Sequence, residues 1–147
     1  MAIKVRDVMS PDVCVVGPED TIRQAALSMG RIDAGIMPVA DNDRLIGVIT
    51  DRDIALRAVA AGRGPDAKVR EIMTAEIKYC YDDEDVGHVS ENMAELQVRR
   101  LPVVDRDKRL VGILALSDLA IQAGTRPAAQ ALEGISQPGG RRSQRAA

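Results

Sequence analysis

The chain repeats itself. Val5-Arg6-Asp7-Val8-Met9-Ser10 returns as Val69-Arg70-Glu71-Ile72-Met73-Thr74, and Met37-Pro38-Val39-Ala40-Asp41 returns as Leu101-Pro102-Val103-Val104-Asp105. Leu45-Ile46-Gly47-Val48-Ile49 matches Leu110-Val111-Gly112-Ile113-Leu114, and Asp53-Ile54-Ala55 matches Asp118-Leu119-Ala120. The offset changes once, by one residue, where Asp41-Asn42-Asp43-Arg44 becomes Asp105-Arg106-Asp107-Lys108-Arg109. Polar turns tolerate insertions, so the position of the extra residue supports the alignment. A repeat of this size forms a sheet whose two faces it cannot cover alone. Two copies packed sheet to sheet, with pseudo-twofold symmetry, can cover them.

Each copy reads as β-α-β-β-α, an α/β (α+β) unit. Val13–Val16 is a short β-branched run and is expected as a strand. Thr21-x-x-Gln24 has the spacing of a capping box, and Ile22, Ala25, Ala26 and Met29 follow at helical intervals until Asp33-Ala34-Gly35. Ile36–Ala40 and Leu45–Ile49 are strands joined by a turn at Asp41–Arg44. A last helix opens at Thr50-Asp51-Arg52-Asp53 and runs to about Ala61. In the second copy Ile77–Tyr81 is a strand, and a helix capped by Asp85 runs to about Gln97. Leu101–Val104 and Leu110–Leu114 form a hairpin, and a helix starts near Ser117. These readings divide the chain into a first repeat (1–62), a linker (63–68), a second repeat (69–125) and a tail (126–147). Pro127–Leu132 is expected to be helical and Gln137–Arg145 disordered.

Composition narrows the function. The 147 residues are 46% hydrophobic but 1% aromatic, with 2 Tyr and neither Phe nor Trp. The core must therefore be built from Val, Ile, Leu, Ala and Met. Functions that rest on aromatic platforms, such as stacking of single-stranded nucleic acid, are disfavoured. Net charge is −2, from 20 basic and 22 acidic residues, so no basic field favours nucleic acid. Arg126, Arg141, Arg142 and Arg145 make the tail basic, which fits a solvated end. The N-terminus lacks the apolar stretch of a secretory signal, and no run is long enough to span a membrane. Cys14 and Cys80 form no C-x-x-C motif, so the thiols are expected to be reduced, part of the packing, and cytoplasmic.

The ordered motifs Val-Met-Ser-Pro (8–11), Met-Pro-Val-Ala-Asp (37–41) and Gly-Val-Ile-Thr-Asp-Arg-Asp-Ile (47–54) resemble those of a CBS domain. So do their counterparts Ile-Met-Thr (72–74), Val-Arg-Arg-Leu-Pro-Val-Val-Asp (98–105) and Gly-Ile-Leu-Ala-Leu-Ser-Asp-Leu (112–119). Over residues 3–124 the chain is similar to a tandem CBS pair, or Bateman module. The resemblance implies a homodimer that holds adenosine-containing ligands (AMP, ADP, ATP, S-adenosylmethionine or NAD) in clefts between the repeats. It implies no cofactor beyond such a regulatory ligand. It also implies no catalysis; a stand-alone pair would regulate an effector protein in trans.

The same resemblance nominates site residues. In the family, the Asp of Gly-x-x-[Ser/Thr]-x-x-Asp accepts from the ribose hydroxyls and the Ser or Thr assists. Gly47, Thr50 and Asp53 complete that motif here, with Arg52 in the same turn. The spacing also suits a capping box with no ligand, and the residues alone leave both readings open. In the second copy Asp118 remains but Ala115 replaces the Thr, leaving Ser117 available to cap. Residues just before the second strand line such clefts, which nominates Ile36 and Met37 in the first copy and Arg99, Arg100 and Leu101 in the second. The arginines would favour phosphate. The first strand of the opposite repeat holds the base, which nominates Thr74, Ile77 and Tyr79 beside Asp53, and Ser10, Val13 and Val15 beside Asp118.

Other chemistry finds little support. His88, the only His, has no partner pattern for zinc, and Asp82-Asp83-Glu84-Asp85 lacks the spacing and Gly of a calcium loop. No nucleophile–base motif or Gly-rich phosphate loop is present. The alternative to ligand sensing is a ligand-independent module for dimerisation and partner docking.

Overall fold

The computed structural model describes residues 3–123 and 125–137. Helix α1 (Val5–Val8) is followed by α2 (Ile22–Ile32), strands β1 (Ile36–Asp41) and β2 (Arg44–Thr50), and α3 (Asp51–Asp53), which continues as a wider-wound π-helical stretch, Ile54–Val59. The second copy supplies α4 (Val69–Ile72), β3 (Cys80–Tyr81), α5 (Val86–Leu96), β4 (Arg100–Val104), β5 (Leu110–Ala115) and α6 (Leu116–Asp118). A second π-helical stretch, Leu119–Ala123, and α7 (Thr125–Ser136) complete it. The helix expected at 127–132 is thus longer at both ends. The expected disordered end falls, from residue 138 onward, outside the described residues.

Two compact units form, and they do not follow the covalent repeats. The first-hairpin unit comprises Cys14–Ile77 with Lys108–Leu110. The second-hairpin unit comprises the described residues up to Val13, Lys78–Asp107 and the described residues from Val111 onward. The leading helix of each repeat is therefore exchanged: α4 packs in the first-hairpin unit and α1 in the second.

In the first-hairpin unit Thr21 caps α2 as its spacing requires. Thr21 Oγ1 accepts from the Gln24 N–H at 3.1 Å, and Gln24 Oε1 accepts from the Thr21 N–H at 2.8 Å. Asp33, at φ 55, ends the helix in the left-handed conformation. Strands β1 and β2 pair antiparallel from Ile36↔Thr50 to Asp41↔Arg44, with a bulge between Val39 and Ala40. Asn42 (φ 51) and Asp43 (φ 66) form the left-handed pair that a tight hairpin needs. The core contains Ala25, Met37, Val39, Ile49, Val69 and Ile72, all fully buried.

The second-hairpin unit has a three-stranded sheet ordered β3-β4-β5. Its core contains Val5, Val89, Met93, Leu101, Leu114 and Leu119, and α7 adds Ala131. Helices α5 and α7 meet so closely that a Cβ on Gly134 would lie 2.3 Å from Ala94 Cβ. Gln97 holds the end of α7, with Nε2 donating to Gly134 O at 3.0 Å and to Gln137 O.

Two expected strands are shorter than their β-branched runs. Of Val13–Val16 only Val16 pairs, as a single parallel bridge to Val39; of Ile77–Tyr81 only Cys80 and Tyr81 pair, with Val103 and Val104. Val16 N–H donates to Pro38 O and Val16 O accepts from the Ala40 N–H. One rung back, the donor would be the nitrogen of Pro38, which carries no hydrogen, so the ladder stops. Pro102 occupies the matching place in the second copy.

Asp85 is a further correction. It holds the N-cap position of α5, but its side chain makes no cap and accepts instead from Lys4 Nζ at 3.0 Å. Its acidic neighbours are also engaged. Glu84 accepts from the Tyr81 N–H at 2.9 Å and lies 3.5 Å from His88, and Asp83 binds Arg106 through both carboxylate oxygens at 2.8 and 2.7 Å. The Arg106 guanidinium carbon lies 4.0 Å from the Tyr81 ring centroid, and Tyr79 meets Tyr81 edge to face at 5.7 Å.

Burial, helped by the negative charges of Glu84 and Asp82, pushes the Cys80 thiol up to about 12. A thiol reagent near neutral pH is therefore expected to label Cys14, which is partly exposed, and not Cys80 in the native chain. Both should react after denaturation; native labelling of Cys80 at the rate of Cys14 contradicts its burial.

The hydrogen bond from Arg106 holds the Asp83 carboxyl below its ordinary 3.8. A lowered folded-state value contributes stability above the ordinary value and loses it as pH falls through the folded one. Melting temperature is thus expected to fall on acidification below about pH 5, and Arg106→Leu should make that fall shallower. An identical pH slope in the variant would show that the pair contributes nothing to it.

Candidate functional site

Thr50, Arg52 and Asp53 lie at the end of β2, and Thr74 is bonded to Val48 on the same strand. Thr50 leaves the strand and caps α3: its Oγ1 accepts from the Asp53 N–H at 3.0 Å, and Asp53 Oδ2 accepts from the Thr50 N–H at 3.0 Å. The capping box is therefore formed, and it orients the carboxylate. The Asp53 side chain is 13% exposed, and Oδ1 lies 3.8 Å from Arg57 Nε, within ion-pair but beyond hydrogen-bond range. An ionised carboxylate has about four lone-pair sites, so capping leaves Oδ1 able to accept from a ligand hydroxyl. Capping and ligand binding are compatible at this residue.

Thr74 reaches the same unit by the exchange of α4. Its N–H donates to Val48 O at 2.8 Å and its carbonyl accepts from the Val48 N–H at 3.0 Å. Gly47 permits this approach, because a Cβ there would lie 2.9 Å from both Met73 Sδ and Thr74 O. Ile36 is half-buried at the start of β1, whereas Met37 is wholly in the hydrophobic core and contributes packing. Arg52 is exposed, and its N–H donates to Asp51 Oδ1 at 2.8 Å. Ile77 closes the first-hairpin unit; Tyr79 belongs to the second, where it packs against Tyr81.

The second copy repeats the design without the hydroxyl. Ala115 takes the N-cap position and Asp118 Oδ2 still accepts from its N–H, at 2.8 Å. Ser117 is not the cap; it lies inside the helix and is exposed. Ser10 pairs with Ile113 in both directions at 2.9 Å, as Thr74 does with Val48, and Gly112 again makes room for Ser10 O. Arg99 is exposed, with its carbonyl accepting from the Leu116 N–H at 2.8 Å, and Arg100 is half-buried at the start of β4. Leu101, like Met37, is a core residue. Val13 ends the stretch that belongs with Asp118, and Val15, 43% exposed, falls in the other unit.

Arg57 lies in none of the motifs. Besides facing Asp53, its Nη1 donates to Ile72 O at 3.3 Å and Met73 O at 3.2 Å. The one signal in the sequence is its i,i+4 spacing from Asp53. Among the described residues, no group of three His, Cys, Asp or Glu side chains is placed to hold a metal. No helix among them is long and apolar enough to cross a membrane.

Two copies of one fold, each with a capped aspartate at the end of a hairpin and a leading helix taken from the other repeat, define a tandem-repeat module. The CBS-domain model matches residues 5–59 and 69–122, and the chain belongs to the CBS-domain family. It is 42% identical over 133 residues to the CBS domain-containing protein YhcV of Bacillus subtilis (strain 168), covering 90% of this chain and 94% of that one. That relative thus consists almost entirely of the matched pair. Among solved structures, Hypoxic Response Protein I with two coordinated zinc ions superposes at TM-score 0.74, with 37% identity over 82% of this chain and 98% of that one. The CBS pair of MJ0100 in complex with 5′-methylthioadenosine and S-adenosylmethionine superposes at 0.71, with 30% identity over 82% and 94%. CBSX2 in complex with AMP superposes at 0.71, with 27% identity over 82% and 95%.

Thr50→Ala gives the first site the N-cap residue of the second, Ala115. Loss of the capping hydroxyl is expected to lower stability by about 1 kcal/mol, read as a shift in urea midpoint at constant slope. No shift would show that the Asp53 carboxylate alone holds the helix start.

Proposed function

We propose that this CBS pair is a regulatory module that binds an adenosine-containing ligand at sites centred on Asp53 and Asp118. We further propose that it acts in the cytoplasm as a homodimer, signalling to an effector protein in trans and catalysing no reaction itself. The carrying observation is that both copies fix the same carboxylate by one oxygen, Asp53 Oδ2 at 3.0 Å from the Thr50 nitrogen and Asp118 Oδ2 at 2.8 Å from the Ala115 nitrogen. A carboxylate so fixed presents its second oxygen in a defined direction to a ribose diol, at little further loss of side-chain freedom. Two similar folds hold AMP, or methylthioadenosine with S-adenosylmethionine, and this supports the ligand class. The early end of the first-strand ladder supports it too, because the backbone of residues 13–15 and 77–79 lies outside the sheets and is suited to meeting an adenine edge. Thr74 and Ser10, each locked to a hairpin by two hydrogen bonds, would border these sites.

A ligand-independent docking module is the second reading, favoured by one observation: Thr50 and Asp53 satisfy each other's backbone N–H groups, which gives both side chains a structural role of their own.

Calorimetric titration with AMP, 5′-methylthioadenosine and S-adenosylmethionine separates the two. Binding of at least one is expected, with Asp53→Ala and Asp118→Ala each removing one site or weakening it at least about tenfold. Absence of binding by all three at millimolar concentration would leave the docking module as the surviving reading.

A further inference from the structure

The guanidinium of Arg57 joins two parts of the first-hairpin unit that are remote in sequence. Nε lies 3.8 Å from Asp53 Oδ1, while Nη1 is shared between Ile72 O and Met73 O, the last carbonyl of α4 and the one beyond it. Bonds to two carbonyls hold the planar group in one orientation, so the cation is anchored beside the carboxylate instead of swinging on its stem. It remains accessible: the Arg57 side chain is 54% exposed, against 13% for Asp53.

The placement matters for the charge a ligand can carry. A nearly buried carboxylate without a counter-charge repels a phosphate and favours a neutral or cationic group. A cation fixed within 4 Å of that carboxylate offsets the repulsion and offers charge-assisted donors to an anion. At the position that matches Arg57 the second copy carries Gln122, an uncharged residue. We propose that Arg57 is a specificity-determining residue of the Asp53 site, making it select a phosphate-bearing adenosine ligand over an uncharged adenosine thioether. This rests on the adenosine-ligand reading and adds the charge class of the ligand.

The test compares AMP with 5′-methylthioadenosine, which carries no phosphate, in an Asp118→Asn background that silences the second site. Arg57→Met is expected to weaken AMP by about tenfold or more while changing methylthioadenosine less than about threefold. Arg57→Lys, which keeps the charge, should stay within about threefold of the parent for AMP. Retained methylthioadenosine binding shows that the variant is folded. If Arg57→Met does not fold, Arg57→Gln, which copies the second repeat, gives the same comparison. Equal weakening of both ligands, or no change in their ratio, overturns the assignment of Arg57 while leaving the adenosine reading intact. A parent chain that binds neither ligand overturns the assignment of Arg57, and the adenosine reading falls with it only if the unaltered chain binds neither of them nor S-adenosylmethionine.

Discussion

Each unit is closed by reciprocal backbone hydrogen bonds between a hairpin strand and a segment that arrives from far away in the chain. Val48 exchanges bonds with Thr74, and Ile113 with Ser10. The contact needs a hairpin residue without a side chain. A Cβ on Gly112 would lie 2.5 Å from Met9 Sδ and 2.9 Å from Ser10 O, and Gly47 faces the same crowding from Met73 and Thr74. The recurrence of Met-Ser or Met-Thr at the head of each repeat and of Gly within each hairpin is thus one steric requirement met twice. The carboxylate site depends on it. Asp53 is placed by the end of β2, and β2 is tied to the segment whose carbonyls anchor Arg57.

The hairpins were readable from sequence because their signals are local. Short apolar runs bounded by Asp41-Asn42-Asp43-Arg44 leave few options, and Asn42 and Asp43 adopt the left-handed pair that such a turn needs. The strand that opens each repeat is shorter than its residues suggest. Its own residues favour a strand, and the limit is set by prolines more than twenty residues later in the chain, at Pro38 and Pro102. Helices α1 and α4 gave too little periodic signal to read, being four residues each. They are held by tertiary bonds, such as Val5 N–H to Glu84 O and Val69 N–H to Asp20 O.

At the site, the Thr50–Asp53 spacing is that of the capping box the structure forms, and the second copy keeps the carboxylate at Asp118 where Ala115 replaces the hydroxyl. Met37 and Leu101 are expected to line the site, but sequence order does not say which side of a strand faces the core, and both side chains are buried. Arg57 is hard to read from sequence because the carbonyls it binds, Ile72 and Met73, lie fifteen and sixteen residues away. They come near only because α4 packs with the first hairpin, and nothing in the local pattern reveals that exchange.

The exchange places the joints of the covalent chain out of step with the joints of the fold. Cutting in the linker after Gly62 would give two fragments, each carrying the helix that completes the other's core. Neither could satisfy its own hairpin, and they would recover their bonds only by re-associating. A chain with a single repeat would face the same deficit, which a reciprocal domain swap of the leading helix between two molecules would meet. Duplication within one chain turns that bimolecular loan into an intramolecular one. The concentration dependence of a swapped dimer is then replaced by the fixed effective concentration of a short tether.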